Sequence, residues 1–534
     1  MIERAVAEWA GRGDLPALLA EDGTVTTYRE LAAQVATFAA WLRECVEPDQ
    51  VVAVVAGNSP SAVAALLATA SVAVCAPLPP GPSAAELRGL GASVLISDSP
   101  ESEAGIPVIR PFAKAGRLSG PRCSVPETAL LVRTSGSTGA AKLVPLPAGA
   151  LLRAASLVAG TLELTPADRG LNVLPLHHTH GLVGVVLSTL TAGASVVCLP
   201  RYSDDGMLAA LREFTPTWYS AVPAIHARVA AFASDGQLDG HRLRFTRSAS
   251  APLPEALRVR LGQALGIPVL QAYALTEAPG EICAQSPSVP VTPGTVGPPV
   301  GCEVSVRALG EIMVRGPHVC PGYLSTVDGP PIPHPGGWLD TGDLGLLTDR
   351  GELVLSGRRD DVINRAGEKV FPEELENVLA GHPGVTDVVV GGAQDPTLGE
   401  AVVAVIALAW DVTDDDLRRY CSRTSGRGPD RFARVPEIPR SATGKVNRRA
   451  LIASLGPVSE VSDVLDAVAA IWAEVLFLPS PDPDTGLDEL GGESLHGARI
   501  EALVAERLDV RLPPSAVLDR GITIRKMAAL VQDG

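Results

Sequence analysis

Apolar and polar positions change period several times along this chain. Thr27 stands three residues before Glu30, the spacing of a capping box, and Leu31, Val35, Phe38 and Leu42 follow at helical period, so a helix is predicted to open here. Short β-branched runs at 51–56 and 94–96 flank a helical Ala/Leu stretch over 62–70. Such strand–helix–strand alternation predicts parallel α/β layers. The same texture recurs from 171 to about 270, a second α/β unit. From 290 to 355 the pattern shifts to short strands and Gly/Pro turns, as in 310–316, and predicts a small β subdomain. Beyond Gly357-Arg358-Arg359-Asp360-Asp361 comes a compact α+β unit, with a helix over 371–379, strands over 387–390 and 401–409, and an exposed helix and loop over 411–429. It ends near Leu455, where Gly456-Pro457 opens a linker into a further stretch.

Directly after the apolar run 129–132 stand Thr134, Ser135, Gly136, Ser137, Thr138, Gly139 and, past two alanines, Lys142. Glycines let backbone N–H groups turn toward an anion, and hydroxyls and an ammonium add donors, so the natural guest is a polyphosphate. The alternative is a plain Ser/Gly surface turn. It is not a Walker loop, which needs Gly and Lys adjacent with Ser/Thr after them; here Leu143 follows the lysine.

Composition narrows the classes. Hydrophobic content of 46% suffices for several cores, and with only 4% aromatic residues Leu, Val and Ala must fill them. A net charge of −16 argues against nucleic acid as a partner. The N-terminus lacks a signal peptide's apolar centre, and no membrane-spanning segment is expected. Eight scattered cysteines without a CxxC pair fit reduced thiols in a cytoplasmic protein better than disulfides or a zinc site.

Four later stretches give the hydroxyl-rich loop its context. Gln271-Ala272-Tyr273-Ala274-Leu275-Thr276-Glu277 resembles the YGxTE motif of the acyl-adenylating superfamily of acyl-CoA ligases, luciferases and peptide-synthetase adenylation domains. Trp338-Leu339-Asp340-Thr341-Gly342-Asp343 resembles its WxxTGD, the stretch from Ser356 to Gly367 its GRxDDxIxxxG, and Pro439-Arg440-Ser441-Ala442-Thr443-Gly444-Lys445 its PRxxxGK. The loop itself resembles TSGSTGxPKG, with Ala141 and Leu143 where the family has Pro and Gly, and Ala274 replaces the Gly of YGxTE. Alone each stretch reads as a turn or a solvated face; in order, over 24 to about 455, they identify a family member.

The resemblance implies an α/β multidomain protein: a large N-terminal adenylation domain over 1–357, holding two α/β subdomains and a small β subdomain, and a mobile α+β subdomain over 358–456 that turns about a hinge at Asp360. It implies that Thr134, Ser135, Gly136, Ser137, Thr138, Gly139 and Lys142 grip the ATP phosphates and that Glu277 ligates Mg²⁺, a hard cation that takes oxygen ligands. Thr276 would contact the α-phosphate, Tyr273 would pack on adenine, Asp343 would accept the ribose hydroxyls with Arg358 beside it, and Lys445 would bridge carboxylate and phosphate during adenylation. Catalysis of attack on so charged a substrate is mostly positioning and charge neutralisation.

Leu487-Asp488-Glu489-Leu490-Gly491-Gly492-Glu493-Ser494-Leu495 resembles the LGGxSL signature of acyl and peptidyl carrier proteins. This implies an all-α four-helix carrier domain over 457–534 with 4′-phosphopantetheine on Ser494, and a helical apolar stripe of Leu495, Ala498 and Ala502 is expected after it. From Val461 on, 13 acidic residues stand against 6 basic ones, a net −7, which suits basic docking patches on partner enzymes.

Pro175-Leu176-His177-His178-Thr179-His180-Gly181 resembles the PLFHxxG of acyl-CoA ligases, which places His178 near the acyl carboxylate; His177 and His180 read equally well as packing residues. No carboxylate occurs between Leu171 and Pro200, where amino-acid-activating relatives carry an Asp, so an α-amino acid is not the expected substrate. The stretches 218–223 and 243–250 resemble segments of oxalate–CoA ligases, which points to a small polar or dicarboxylic acid. Arg247 or Ser248 would then read a second polar group, with a structural role for Arg247 as the alternative.

The expectation is an ATP-dependent ligase that loads a carboxylic acid onto its own carrier domain for an assembly line. A phosphopantetheinyl transferase and a downstream condensing or acyl-transferring enzyme would be its partners, with neither nucleic acid nor membrane involved. The alternatives are an acyl-CoA ligase using free CoA and a catalytically silent carrier scaffold loaded in trans.

Overall fold

A computed structural model of the protein describes residues 1–97, 106–109, 117–118, 120–134, 142–395, 398–440, 446–455, 460–476, 478, 481–492, 494–508, 510, 512 and 522–532. The chain forms two compact units, Met1–Asn447 and Arg448–Gly534.

The first unit is built on two large sheets. One runs in the order Cys283–Ala284, Val269–Tyr273, Phe245–Ser248, Trp218–Ala221, Arg169–Asn172, Ser195–Cys198, Pro16–Ala20, Val25–Thr27. Its central strands are parallel, with Ser220 beside Arg247 and Ser248 beside Gln271. Segments leaving their C-terminal ends therefore depart from one edge, where ligands of open α/β sheets bind. Ser250 and the Thr276-Glu277 pair lie on two of these segments. The other sheet orders Val108–Ile109, Val94–Ile96, Val51–Val55, Val74–Leu78, Thr128–Arg133 and Leu143–Pro147. Strands buried on both faces need continuous apolar runs, which 51–54 and 74–78 supply.

The helix Tyr28–Cys45 starts where the pattern placed it: Thr27 and Glu30 make both hydrogen bonds of the capping box, and Leu31, Val35, Phe38 and Leu42 are buried. A four-stranded antiparallel sheet, Glu303–Val306, Glu311–Arg315, Leu339–Leu347 and Leu353–Arg358, is the small β subdomain. Past it, the long hairpin of Val385–Asp395 and Gly399–Leu408 and the helix Pro372–Ala380 form the expected α+β unit. The polar 411–429 stretch holds the helix Asp414–Ser425, which buries Leu417 and Cys421.

The second unit is helical, with Glu460–Leu476, Ser494–Leu508 and Ile524–Gln532 around the fully buried Trp472. One expectation is overturned here. Leu495, Ala498 and Ala502 face solvent, and Ile500, Leu503 and Val504 pack instead. Ile500, Leu503 and Val504 bury more apolar area than the two alanines and take the inner face, which leaves Leu495, in the first turn, exposed.

Candidate active site

The strand Val269–Tyr273 delivers Tyr273, and Leu339–Leu347 delivers Asp343, to one buried point. The phenol of Tyr273 donates to Asp343 Oδ2 at 2.5 Å. Arg358, the register partner of Asp343 on the neighbouring strand, sets its Nε 3.1 Å from Oδ1. Gly342 takes φ +71°, a left-handed turn in mid-strand, and Thr341 steadies it by donating to the Ile312 carbonyl at 2.8 Å and accepting from the Asp343 N–H at 3.1 Å. Burial pushes the Asp343 carboxyl up from its ordinary value, while Arg358 and the Tyr273 phenol pull it back. The result is a desolvated acceptor held in fixed orientation.

The strands on either side of the hydroxyl-rich stretch are neighbours in the second sheet. Thr128–Arg133 and Leu143–Pro147 pair antiparallel, and the Thr134 N–H donates to the Lys142 carbonyl at 3.0 Å. Lys142 Nζ stands 4.5 Å above the ring of Tyr323, whose phenol donates to Glu277 Oε1 at 2.9 Å. Burial and the neighbouring Glu277 raise the Tyr323 phenol, keeping it a donor. Reciprocal backbone hydrogen bonds join Leu143 to Leu324, and the Cys320 N–H donates to the Glu277 carbonyl at 2.7 Å. Tyr323, a residue that no motif had marked, thus links Lys142 to Glu277. Thr276 and Glu277 form the corner of a tight turn closed by paired hydrogen bonds of 3.2 Å between Leu275 and Ala278. Among the described residues no group of three His, Cys, Asp or Glu could hold a metal ion. A divalent cation at Glu277 would therefore complete its shell from phosphate oxygens and water, the habit of Mg²⁺. The carboxylate oxygen of Glu277 is the hard donor that such an ion takes.

His178 stands at the N-cap position of the helical stretch that begins at Thr179, and its ring lies 4.2 Å from that of His177. His180 is more than packing: Nδ1 stands 2.9 Å from Ser250 Oγ and Nε2 2.7 Å from Ser220 Oγ. The apolar run Leu182–Leu187 that follows forms a π-helical turn, a feature frequent at functional sites and not distinguishable by apolar period in a wholly buried segment. Ser248 is 1% exposed and its hydroxyl has no partner. Arg247 is 1% exposed and donates from Nη2 to the Gly280 carbonyl at 2.8 Å.

Asp360 lies in the 3₁₀ turn Arg359–Asp361, between the strands Leu353–Arg358 and Ile363–Arg365. Arg359 Nη1 reaches Asp340 Oδ2 at 3.0 Å and Glu311 Oε1 at 3.2 Å. Ser135, Gly136, Ser137, Thr138, Gly139 and Lys445 lie outside the described residues. Ser494 opens the helix Ser494–Leu508. Gly491 before it takes φ +81°, and a Cβ on Gly492 would stand 2.4 Å from Leu487 Cδ1. The left-handed φ calls for glycine at 491, and the closeness of Leu487 calls for it at 492.

Residues 5–324 match the AMP-binding enzyme family, 374–445 the AMP-binding enzyme C-terminal domain, and 466–531 the phosphopantetheine attachment site. The oxalate–CoA ligase of Arabidopsis thaliana is 37% identical over 342 residues, which cover 60% of this chain and 66% of that protein. A probable CoA ligase of Humulus lupulus is 34% identical over 395 residues, 68% of this chain and 71% of that one. Among solved structures, the o-succinylbenzoate CoA synthetase of Bacillus subtilis in complex with its acyl-adenylate intermediate superposes with a TM-score of 0.73 at 28% identity, covering 84% of this chain and 97% of the other. The chain belongs to the AMP-binding enzyme family, with that family's C-terminal domain and a phosphopantetheine attachment domain in the same polypeptide.

Proposed function

We propose that this chain is an AMP-forming acid–thiol ligase that activates a small carboxylic acid, not an α-amino acid, and passes the acyl group to a phosphopantetheine thiol on its own Ser494. The observation that carries the reading is the pairing of one buried acceptor, Asp343 held by Tyr273 and Arg358, with the Lys142–Tyr323–Glu277 bridge in a chain that also has an attachment domain. In this reading Asp343 accepts the ribose hydroxyls and the stretch from Thr134 to Lys142 holds the terminal phosphates. Thr276 and Lys445 touch the α-phosphate region, and Glu277 offers an oxygen to Mg²⁺, which supplies neutralisation of phosphate charge. His178 stands by the attacking carboxylate, which displaces pyrophosphate from the α-phosphorus. The domains are read as 1–357, 358–456 with the hinge at Asp360, and 457–534, in a cytoplasmic protein that feeds an assembly line through a phosphopantetheinyl transferase and a downstream enzyme.

The His180–Ser220–Ser250 group supports a small polar acid, and the likeness to an oxalate–CoA ligase points the same way. A second reading, release of the acyl group to free CoA, is favoured by the relatives' activity as CoA ligases. Acid-dependent ATP–pyrophosphate exchange over a panel of small mono- and dicarboxylic acids tests the first half. Exchange that Glu277→Gln and Asp343→Asn abolish is expected; no exchange with any acid would favour a silent carrier scaffold.

A further inference from the structure

The loop that bears Thr276 and Glu277 is closed at its base, where the Ile282 N–H donates to the Tyr273 carbonyl at 2.7 Å. Its far limb is pinned from three neighbouring segments. Arg247, on the neighbouring strand Phe245–Ser248, donates to the Gly280 carbonyl at 2.8 Å and stands 3.8 Å from Glu281 Oε2. Thr161, at the end of the helix Ala148–Thr161, donates to Glu281 Oε1 at 2.5 Å. His318 Nε2 lies 3.0 Å from the Glu281 carbonyl. Gly280 has φ +81° and leaves only 3.2 Å between a Cβ and Ala154 or Val158, so this limb packs tightly on the helix.

The ion pair is an expensive way to fill a core. Arg247 is 1% exposed and Glu281 0%. Nε and Nη1 of the arginine and Oε2 of the glutamate make no hydrogen bond. Burial lowers the arginine and raises the glutamate from their ordinary values, each opposed by the other's charge. An apolar pair of similar volume would often be as stable or more so, so stability alone does not account for the charges. A guanidinium aimed at one carbonyl does fix where a loop sits.

We propose that Arg247 and Glu281 are positioning residues that anchor the 274–282 loop in the register presenting Thr276 and Glu277 to the triphosphate and its cation. The proposal rests on the adenylating reading for the loop's ligand. It assigns Arg247 to the nucleotide loop instead of the acid.

The test uses the full chain carrying Arg247→Lys, and the double substitution Arg247→Met with Glu281→Leu, which removes both charges and leaves no unpaired ion. Three readouts separate the outcomes: hydrogen exchange of the 274–282 amides without ligand, calorimetric binding of ATP with Mg²⁺, and half-saturating oxalate in pyrophosphate exchange. The double variant is expected to melt cooperatively near the wild type. Its loop amides should exchange about tenfold faster and Mg·ATP should bind about tenfold more weakly, with oxalate saturation unchanged. Arg247→Lys, which keeps one donor, should fall between. A double variant with wild-type loop protection and Mg·ATP affinity would overturn the proposal, as would a rise confined to oxalate, which would make Arg247 a reader of the acid. If the wild type binds no Mg·ATP, the adenylating reading falls, and exchange in the ligand-free chain still reports the anchor by itself.

Discussion

The phenol of Tyr273 and the carboxylate of Asp343 share a 2.5 Å hydrogen bond that joins two sequence motifs at one buried point. Hydrogen bonds to charged groups are worth about 1.5–3 kcal/mol. Tyr273→Phe is therefore expected to raise the KM for ATP by about 10–100-fold, with the melting temperature little changed. The pH profile adds a sign. The phenol lowers a carboxyl that burial has raised, so its removal lets Asp343 protonate at higher pH. Only the ionised form accepts both ribose hydroxyls, and the acid limb of kcat/KM for ATP should move upward in the variant. An unmoved acid limb would detach Asp343 from nucleotide binding.

Tyr323 serves two neighbours with different parts of one ring. Tyr323→Phe keeps the face under Lys142 and loses the hydrogen bond to Glu277. The Mg²⁺ concentration for half-maximal exchange should rise several-fold. Tyr323→Leu also loses the cation–π contact, about 0.5–1 kcal/mol at an exposed site, and should raise the KM for ATP further. Equal effects of the two substitutions on both quantities would contradict this division.

Gly492 has no room for a side chain, since its Cβ would meet Leu487 Cδ1 at 2.4 Å and the Leu487 carbonyl oxygen at 2.7 Å. Gly492→Ala should slow phosphopantetheine attachment to Ser494, measured by intact mass after incubation with a phosphopantetheinyl transferase and CoA. Pyrophosphate exchange should be untouched. Gly491→Ala, at φ +81°, should act in the same direction through backbone strain of about 1 kcal/mol or more.

Arg359, next to the proposed hinge residue Asp360, pairs with Asp340 and Glu311. The arginine and Asp340 side chains are 42% and 44% exposed, so the pair contributes only about 0.2–1 kcal/mol and is screened by salt. Arg359→Ala should leave pyrophosphate exchange within twofold and change the rate of acyl transfer by about two- to fivefold in low salt. The difference should vanish near 1 M NaCl. Persistence at high salt would refute an electrostatic latch.

Layers, capping and the nucleotide motifs were legible because each rests on local chemistry. The Thr27–Glu30 capping box and the apolar strands 51–54 and 74–78 follow from neighbours in the chain. Asp343 and Tyr273 were legible as motif members, but their mutual hydrogen bond depends on two sheets meeting. Tyr323 was not legible, since its meaning comes from lying between Lys142 and Glu277, which are far apart in sequence. His180 looked like packing because nothing local announces that Ser220 and Ser250 converge on its two nitrogens. The stripe of Leu495, Ala498 and Ala502 was misread because two of its members are alanines, which carry little burial energy, so Ile500, Leu503 and Val504 together decide which face turns inward and leave Leu495 outside.

Self-loading is tested most directly by intact-protein mass spectrometry of the phosphopantetheinylated chain given ATP, Mg²⁺ and the acid panel. An acyl mass increment is expected with one small acid, absent in Ser494→Ala and in Lys445→Ala. An unacylated chain that still exchanges pyrophosphate and forms acyl-CoA from free CoA would contradict self-loading and leave a CoA ligase.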